Sequence, residues 1–174
     1  MERIKVWLAS SEVEPFIKTG GLADVAGSLP KALKALDVDI RVVLPKYGQI
    51  DTKYVSKMEF VGSCKVDLTW RKQYCGIFKL EYDGVTYYFI DNEYYFFRDG
   101  LYGLYDDGER FSFFCKAILE VLPVIGFKPD IIHLNDWQTG MVSLLLDAHY
   151  RNREGGFYRN IHTLFTIHNL KYQG

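Results

Sequence analysis

The order of apolar and polar positions predicts alternating strands and helices along the first part of the chain. Residues 4–9 form a short, mostly apolar run that predicts a buried strand. Apolar residues then recur every three or four positions, which predicts an amphipathic helix with one apolar stripe. That stripe comprises Leu22, Val25, Ala26, Leu29, Leu33 and Leu36. A β-rich run at residues 40–44 predicts the second strand, which Pro45 ends.

Between residues 57 and 90 the apolar positions alternate instead of following a helical period. Alternation over residues 65–70 and 77–82 predicts two half-buried strands. The dipeptide Asp83-Gly84 is a strong signal for a two-residue hairpin turn, and a third β-rich run follows at residues 85–90. We therefore predict an antiparallel β-hairpin insertion over about residues 57–90, whose last strand returns to the main sheet.

The second half of the chain predicts helix, strand, helix and strand in turn. The helices are expected near residues 109–122 and 138–149, and the strands at residues 131–134 and 163–167, the last of them central in the sheet. Strands that alternate with helices form parallel sheets with helices on both faces. A chain of 174 residues is long enough for a sizeable core, so we expect one α/β domain over residues 1–174.

Composition and charge exclude several classes of partner. A formal net charge of −1 provides no basic field for nucleic acid or for an anionic membrane surface. No stretch approaches the roughly 20 apolar residues of a membrane helix, and the chain begins without an apolar signal region. The three cysteines have no C-x-x-C spacing, which is typical of reduced thiols, so the expected location is the cytoplasm.

The stretch Lys18-Thr19-Gly20-Gly21 connects the first predicted strand to the first predicted helix. Successive glycines can turn several backbone N–H groups in one direction, and the positive end of the helix dipole lies at the same place. Lys18 adds a full positive charge, so the loop is a candidate anion site. The pattern fits neither the G-x-G-x-x-G nor the G-x-x-x-x-G-K-[ST] fingerprint. The alternative is that the glycines only make a tight turn.

Polar clusters follow three of the predicted strands, and ligands of open α/β sheets bind at that carboxyl edge. The clusters are Lys18 with Gly20 and Gly21, then Asn135 with Asp136 and Trp137, and finally His168 with Asn169. Because parallel strands end at the same edge of a sheet, these clusters predict a single binding site.

Structural roles remain open for several members of these clusters. Asp24 lies in the first turn of the predicted helix, where a carboxylate stabilises the helix dipole. Asp136 could cap the next helix, and Trp137 could belong to the core. A lone histidine at the end of an apolar strand, such as His168, is commonly structural, and His133 within its strand is expected to be so.

Three sequence motifs resemble those of bacterial glycogen synthases and plant starch synthases. The first is SSEVEPFIKTGGLADV at residues 10–25, which resembles the N-terminal signature of that family. PDIIHLNDWQTG at residues 129–140 and FTIHNLKYQG at residues 165–174 agree with two later stretches, in the same order. The resemblance covers the whole chain, and the chain covers only the front part of such an enzyme.

The resemblance implies the N-terminal, acceptor-side lobe of a GT-B glycosyltransferase, with a Rossmann-like sheet. Such enzymes have two lobes and move glucose from ADP-glucose to the non-reducing end of an α-1,4-glucan, with retention and without a metal or other cofactor. The C-terminal lobe, which binds the nucleotide, is expected as the missing partner, and this chain alone is expected to be inactive. The alternatives are a related enzyme that uses UDP-glucose and a non-catalytic module that binds glucan or sugar.

The resemblance also implies roles for individual residues. It indicates that Asp136 lies near the transferred glucose and that His168 lies against it, with its backbone carbonyl facing the anomeric centre, so these are the expected catalytic residues. The expected substrate-binding residues are Lys18, Gly20, Gly21, Asp24, Tyr102, Asn169 and Glu12. No metal site is expected, because the D-x-D pattern of Asp37 and Asp39 precedes the second strand and lies on the wrong side of the sheet. Gln138 departs from the family, which often has histidine there.

Overall fold

The computed structural model describes residues 3–172, which form one seven-stranded sheet and its helices. The strands are β1 (Lys5–Ala9), β2 (Asp39–Pro45), β3 (Glu59–Asp67), β4 (Lys72–Tyr82), β5 (Val85–Asp91), β6 (Ile131–Asn135) and β7 (His162–Thr166). The helices are α1 (Gly21–Ala35), α2 (Thr52–Val55), α3 (Glu93–Phe96), α4 (Asp107–Val124) and α5 (Met141–Leu145). None of the helices in this part of the chain is both long and apolar enough to cross a membrane.

The sheet has the strand order β3-β4-β5-β2-β1-β6-β7. Strands β5, β2, β1, β6 and β7 run parallel, whereas β4 is antiparallel to both β3 and β5. The predicted parallel sheet with an antiparallel insertion is therefore confirmed, and β5 is the strand that returns to the main sheet. Asp83 and Gly84 form the predicted turn between β4 and β5, both with positive φ, at 47° and 76°.

Aromatic packing shows that helices cover both faces of the sheet. On one face, the Trp7 indole N–H donates to the Ile118 carbonyl oxygen of α4 at 3.2 Å, and the Trp7 ring packs against Tyr88. On the other face, the Phe16 ring packs against Tyr87 and Phe89, with ring centroids 4.8 and 5.1 Å apart. Phe16 belongs to the loop before α1. Side chains alternate between faces along β5, so α1 with its loop and α4 enclose the sheet from opposite sides.

The apolar stripe predicted for α1 is wrong at two positions. Val25 is 40% exposed, and Leu36, just past the last residue of the helix, is 75% exposed. Gly27 is buried instead, and a Cβ there would lie 2.5 Å from the Glu14 carbonyl oxygen. The helix is therefore rotated so that its small residues meet the preceding loop, a close approach that periodicity alone does not reveal.

The segment after β6 also differs from the prediction. The helix expected over residues 138–149 is divided into a 3-10 turn (Trp137–Thr139), the short helix α5 and a wider π turn (Leu146–Tyr150). β7 was expected to be central, but among the described residues it is an edge strand, paired with β6 and largely exposed.

Candidate functional site

The loop after β1 is folded onto itself by a buried carboxylate. Glu12 is only 4% exposed, and its carboxylate accepts hydrogen bonds from the Thr19 backbone N–H and, at 3.1 Å, from the Thr19 hydroxyl. The loop therefore returns to the sheet edge just before Gly20. Sequence reasoning expected Glu12 to bind substrate, and it did not foresee the contact with Thr19.

Gly20 and Gly21 open space at the start of α1 without using the left-handed backbone conformation. Gly20 is extended, with φ −156° and ψ −167°, a conformation that any residue adopts. A Cβ on either glycine would meet nothing within 4 Å. Gly20 is the N-cap and provides no side-chain hydrogen bond, so no cap competes for the first-turn N–H groups of α1. The open space and these donors suit an anion.

Lys18 is held by two carboxylates beside this loop. Its ammonium lies 2.5 Å from a carboxylate oxygen of Asp24 and 3.4 Å from one of Glu14. The hydrogen bond to Asp24 raises the pKa of Lys18. The positive charge that the sequence suggested for binding an anion is therefore already paired with carboxylates. Lys18 and Asp24, both predicted to bind substrate, are exposed and lie side by side.

Tyr102 reaches the same edge from the loop between α3 and α4. Its hydroxyl lies 2.8 Å from the Ser11 hydroxyl, and burial raises the pKa of Tyr102. The loop is anchored by the fully buried Arg110, which donates to the carbonyl oxygens of Tyr95 (2.8 Å) and Leu101 (3.2 Å). Sequence reasoning missed Arg110, although a single arginine among the apolar positions of a predicted helix is a signal for a buried polar anchor.

Asp136 has an unusual backbone and bonds the segment after β7. Its φ of 58° and ψ of 179° lie in a region that is essentially restricted to glycine, which costs about 1–3 kcal/mol. Its carboxylate accepts a hydrogen bond from the His168 N–H at 2.6 Å, and its own N–H donates to the Thr166 carbonyl at 2.9 Å. The Asp136 side chain makes no cap bond to the following turn, so the capping alternative is wrong.

Asn135 orients the His168 imidazole. The Asn135 amide NH₂ lies 3.1 Å from the Ala9 carbonyl oxygen and 3.4 Å from that of His133. Both groups can only accept, so the amide oxygen of Asn135 faces His168 Nε2, 2.9 Å away. Nε2 must then carry hydrogen, and in the neutral ring Nδ1 keeps its lone pair. Sequence reasoning grouped Asn135 with its neighbours but gave it no role of its own.

The remaining members of the clusters have local partners. His133 Nε2 lies 2.8 Å from the Thr166 hydroxyl, and burial is the main cause that lowers the pKa of His133. Asn169 is exposed, and its side-chain oxygen accepts a hydrogen bond from the Lys171 N–H at 2.9 Å. Gln173 and Gly174, the last residues of the third motif, lie outside the described residues.

These contacts join the cluster of Asn135 and Asp136 to His168 and to the end of β1, at one edge of the sheet. Asn135 bonds the end of β1, and both Asn135 and Asp136 bond the residue two positions after β7. The Tyr102 ring lies 6.4 Å from that of Trp137, which connects the loop before α4 to the same place. No group of three or more potential metal ligands comes together within residues 3–172.

A family profile described as the starch synthase catalytic domain matches residues 5–174. The chain belongs to this family. Glycogen synthases of Anoxybacillus flavithermus and Geobacillus thermodenitrificans are 57% and 58% identical over 171 residues, which is 98% of this chain and 35% of each relative.

A solved structure from a plant member of the family agrees with the fold. The catalytic domain of starch synthase IV from Arabidopsis thaliana, bound to ADP and acarbose, has a TM-score of 0.88 and 32% identity. The match covers 99% of this chain and 35% of that one, so this chain spans about a third of the length of its relatives.

Proposed function

We propose that this chain is the N-terminal lobe of a glycogen synthase that transfers glucose from ADP-glucose to the non-reducing end of an α-1,4-glucan, with retention of configuration. The proposal rests mainly on the hydrogen bonds by which Asn135 and Asp136 fix His168 at the carboxyl edge of the sheet. Identity of 57% to a glycogen synthase over nearly the whole chain supports the reaction class.

His168 and Asp136 act on the transferred glucose in this proposal. The imidazole has Nε2 bonded to Asn135 and, within the described residues, no hydrogen bond at Nδ1, so Nδ1 is available to accept a sugar hydroxyl. The His168 carbonyl oxygen faces the positive charge that develops at the anomeric carbon in the transition state. Asp136 fixes the His168 backbone, and its strained conformation is retained because it brings the carboxylate to that backbone.

The start of α1 receives the diphosphate. Its uncapped N–H groups and the open space over Gly20 and Gly21 suit a phosphate group. Lys18 exchanges its bonds to Asp24 and Glu14 for the phosphate, and the released Asp24 carboxylate binds a sugar hydroxyl. Tyr102 and Asn169 contact the sugar, and Glu12 holds the loop through Thr19. No metal is needed when lysine and backbone N–H groups neutralise the leaving group.

The test is to express a full-length enzyme that carries this lobe and to supply glycogen with ADP-glucose or UDP-glucose. The proposal predicts release of ADP in the presence of EDTA, much slower release of UDP, and new α-1,4 linkages visible by proton NMR. Preference for UDP-glucose would favour the related enzyme class. Binding of glucan without any turnover would favour the non-catalytic module.

A further inference from the structure

Two of the three cysteines are directly opposed across the hairpin of β3 and β4. Cys64 of β3 pairs with Cys75 of β4 in the antiparallel register. Opposed residues in such a pair have Cα atoms about 4.5–5.5 Å apart and side chains on the same face. A disulfide needs a Cα separation of about 4.4–6.8 Å, so the strands already have the spacing of a cross-strand bond.

The two thiols are chemically different although they are neighbours. Cys64 lies on an edge strand and is half-buried, whereas Cys75 is fully buried. A hydrogen bond between the thiols lowers the pKa of Cys64, and the same bond together with burial raises the pKa of Cys75. Glu120 of α4 acts on both thiols and opposes ionisation, as Asp91 does for Cys75. This is the usual arrangement of a reactive cysteine beside a resolving one.

We propose that Cys64 and Cys75 form a thiol-oxidation site at which hydrogen peroxide produces a cross-strand disulfide. The Cys64 thiolate attacks one peroxide oxygen, forming an S–O bond and breaking the O–O bond. The hydroxide that leaves takes a proton and becomes water. The Cys75 sulfur then attacks the Cys64 sulfur, the S–S bond forms, and the S–O bond breaks. The second water carries away the Cys75 proton, so two electrons have passed from the two thiols to the peroxide.

The bond would tie the edge strand β3 to β4. It would close a loop of about a dozen residues around the turn that joins the two strands, which restricts the unfolded chain. We expect the melting temperature to rise by roughly 5–10 °C on oxidation. The site lies in the insertion and uses none of the residues assigned to glucosyl transfer, so it is independent of the proposed function.

The third cysteine provides an internal control. Cys115 is buried in α4, and its thiol donates to the Gln138 carbonyl oxygen at 3.2 Å. It should therefore stay reduced under conditions that oxidise Cys64 and Cys75.

The experiment treats the 174-residue chain with a small excess of hydrogen peroxide, blocks the remaining thiols with iodoacetamide and maps the peptides by mass spectrometry. The expected product joins the Cys64 and Cys75 peptides, leaves Cys115 alkylated and is reversed by dithiothreitol. Cys115→Ser should give the same disulfide, whereas Cys75→Ser should stop at a Cys64 sulfenic acid that dimedone traps. Free thiols at both positions after treatment, or oxidation of Cys64 to sulfinic acid in the unsubstituted chain, would overturn the proposal.

Discussion

At the scale of the residue, the central feature is a histidine, His168, whose imidazole and backbone are each held by a neighbouring side chain. Asn135 can offer only its amide oxygen to His168 Nε2, because its NH₂ group faces two carbonyl oxygens. Asp136 holds the His168 backbone, and its own backbone lies in a region that is essentially restricted to glycine. The imidazole and the backbone of His168 are therefore held in position by the protein itself.

The tautomer of His168 is directly measurable. In the 174-residue chain labelled with ¹⁵N-histidine, we expect neutral His168 to carry hydrogen on Nε2 and not on Nδ1. Asn135→Ala should produce a mixture of tautomers, because the acceptor is lost. Thr166→Val removes the partner of His133 and should leave the His168 signals unchanged. A hydrogen on Nδ1 in the unsubstituted chain would contradict the assignment.

His168→Ala should separate a role at the sugar from a role in the core. The side chain is only half-buried, so we expect the melting temperature to change little. Alanine keeps the backbone carbonyl, so kcat of the full-length enzyme should fall by a factor on the order of 10² and not to zero. The melting temperature and kcat are measured on the same variant. A large loss of melting temperature with unchanged kcat would assign His168 to the core.

Lys18→Ala tests the proposed contact between Lys18 and the diphosphate. An exposed ion pair contributes little to stability, so folding should be unaffected, while kcat/KM for ADP-glucose should fall roughly tenfold to a hundredfold. The matched control is Lys31→Ala, which removes an exposed lysine of α1 that is paired with Asp83. Equal kinetics in the two variants would mean that Lys18 serves only its ion pairs.

At the scale of the element, the loop that carries Tyr102 depends on one buried side chain of α4. Arg110→Ala would leave Oδ1 of Asp107 and two carbonyl oxygens without the arginine donor, so we expect a loss of about 3–5 kcal/mol in the free energy of unfolding. Lys72→Ala removes an exposed ion pair and should cost nothing measurable. Urea unfolding compares the two, and equal midpoints would contradict the anchoring role of Arg110.

The elements were largely predictable from the sequence because their patterns are local. Alternation and the Asp83-Gly84 turn identified the antiparallel insertion, and periodicity identified α1 and α4. The failures have long-range causes. Val25 is exposed because α1 turns its small residues toward the loop at Glu14, and no periodicity encodes that contact.

The sequence predicted which edge of the sheet carries the candidate site, but it did not predict the hydrogen bonds between the residues there. The rule that ligands bind at the carboxyl edge grouped Asn135 and Asp136 with His168, and hydrogen bonds join these residues in the structure. The partners of Lys18, the bond of Glu12 to Thr19 and the orientation of Asn135 depend on side-chain geometry that spacing does not contain. The roles of the site residues in catalysis remain predictions.

At the scale of the whole molecule, the chain spans about a third of the length of its relatives. We expect the 174 residues alone to release no ADP from ADP-glucose with glycogen, because the lobe that binds the nucleotide in the proposed enzyme is not among them. Turnover close to that of a full-length family member would contradict this expectation.

The most direct test of the central claim is a crystal structure of the full-length enzyme with ADP and a glucan. The proposed function predicts a sugar hydroxyl about 2.6–3.2 Å from His168 Nδ1 and a diphosphate oxygen at hydrogen-bond distance from the first-turn N–H groups of α1. A sugar bound away from the carboxyl edge of the sheet, with His168 and the start of α1 both free of ligand, would contradict it.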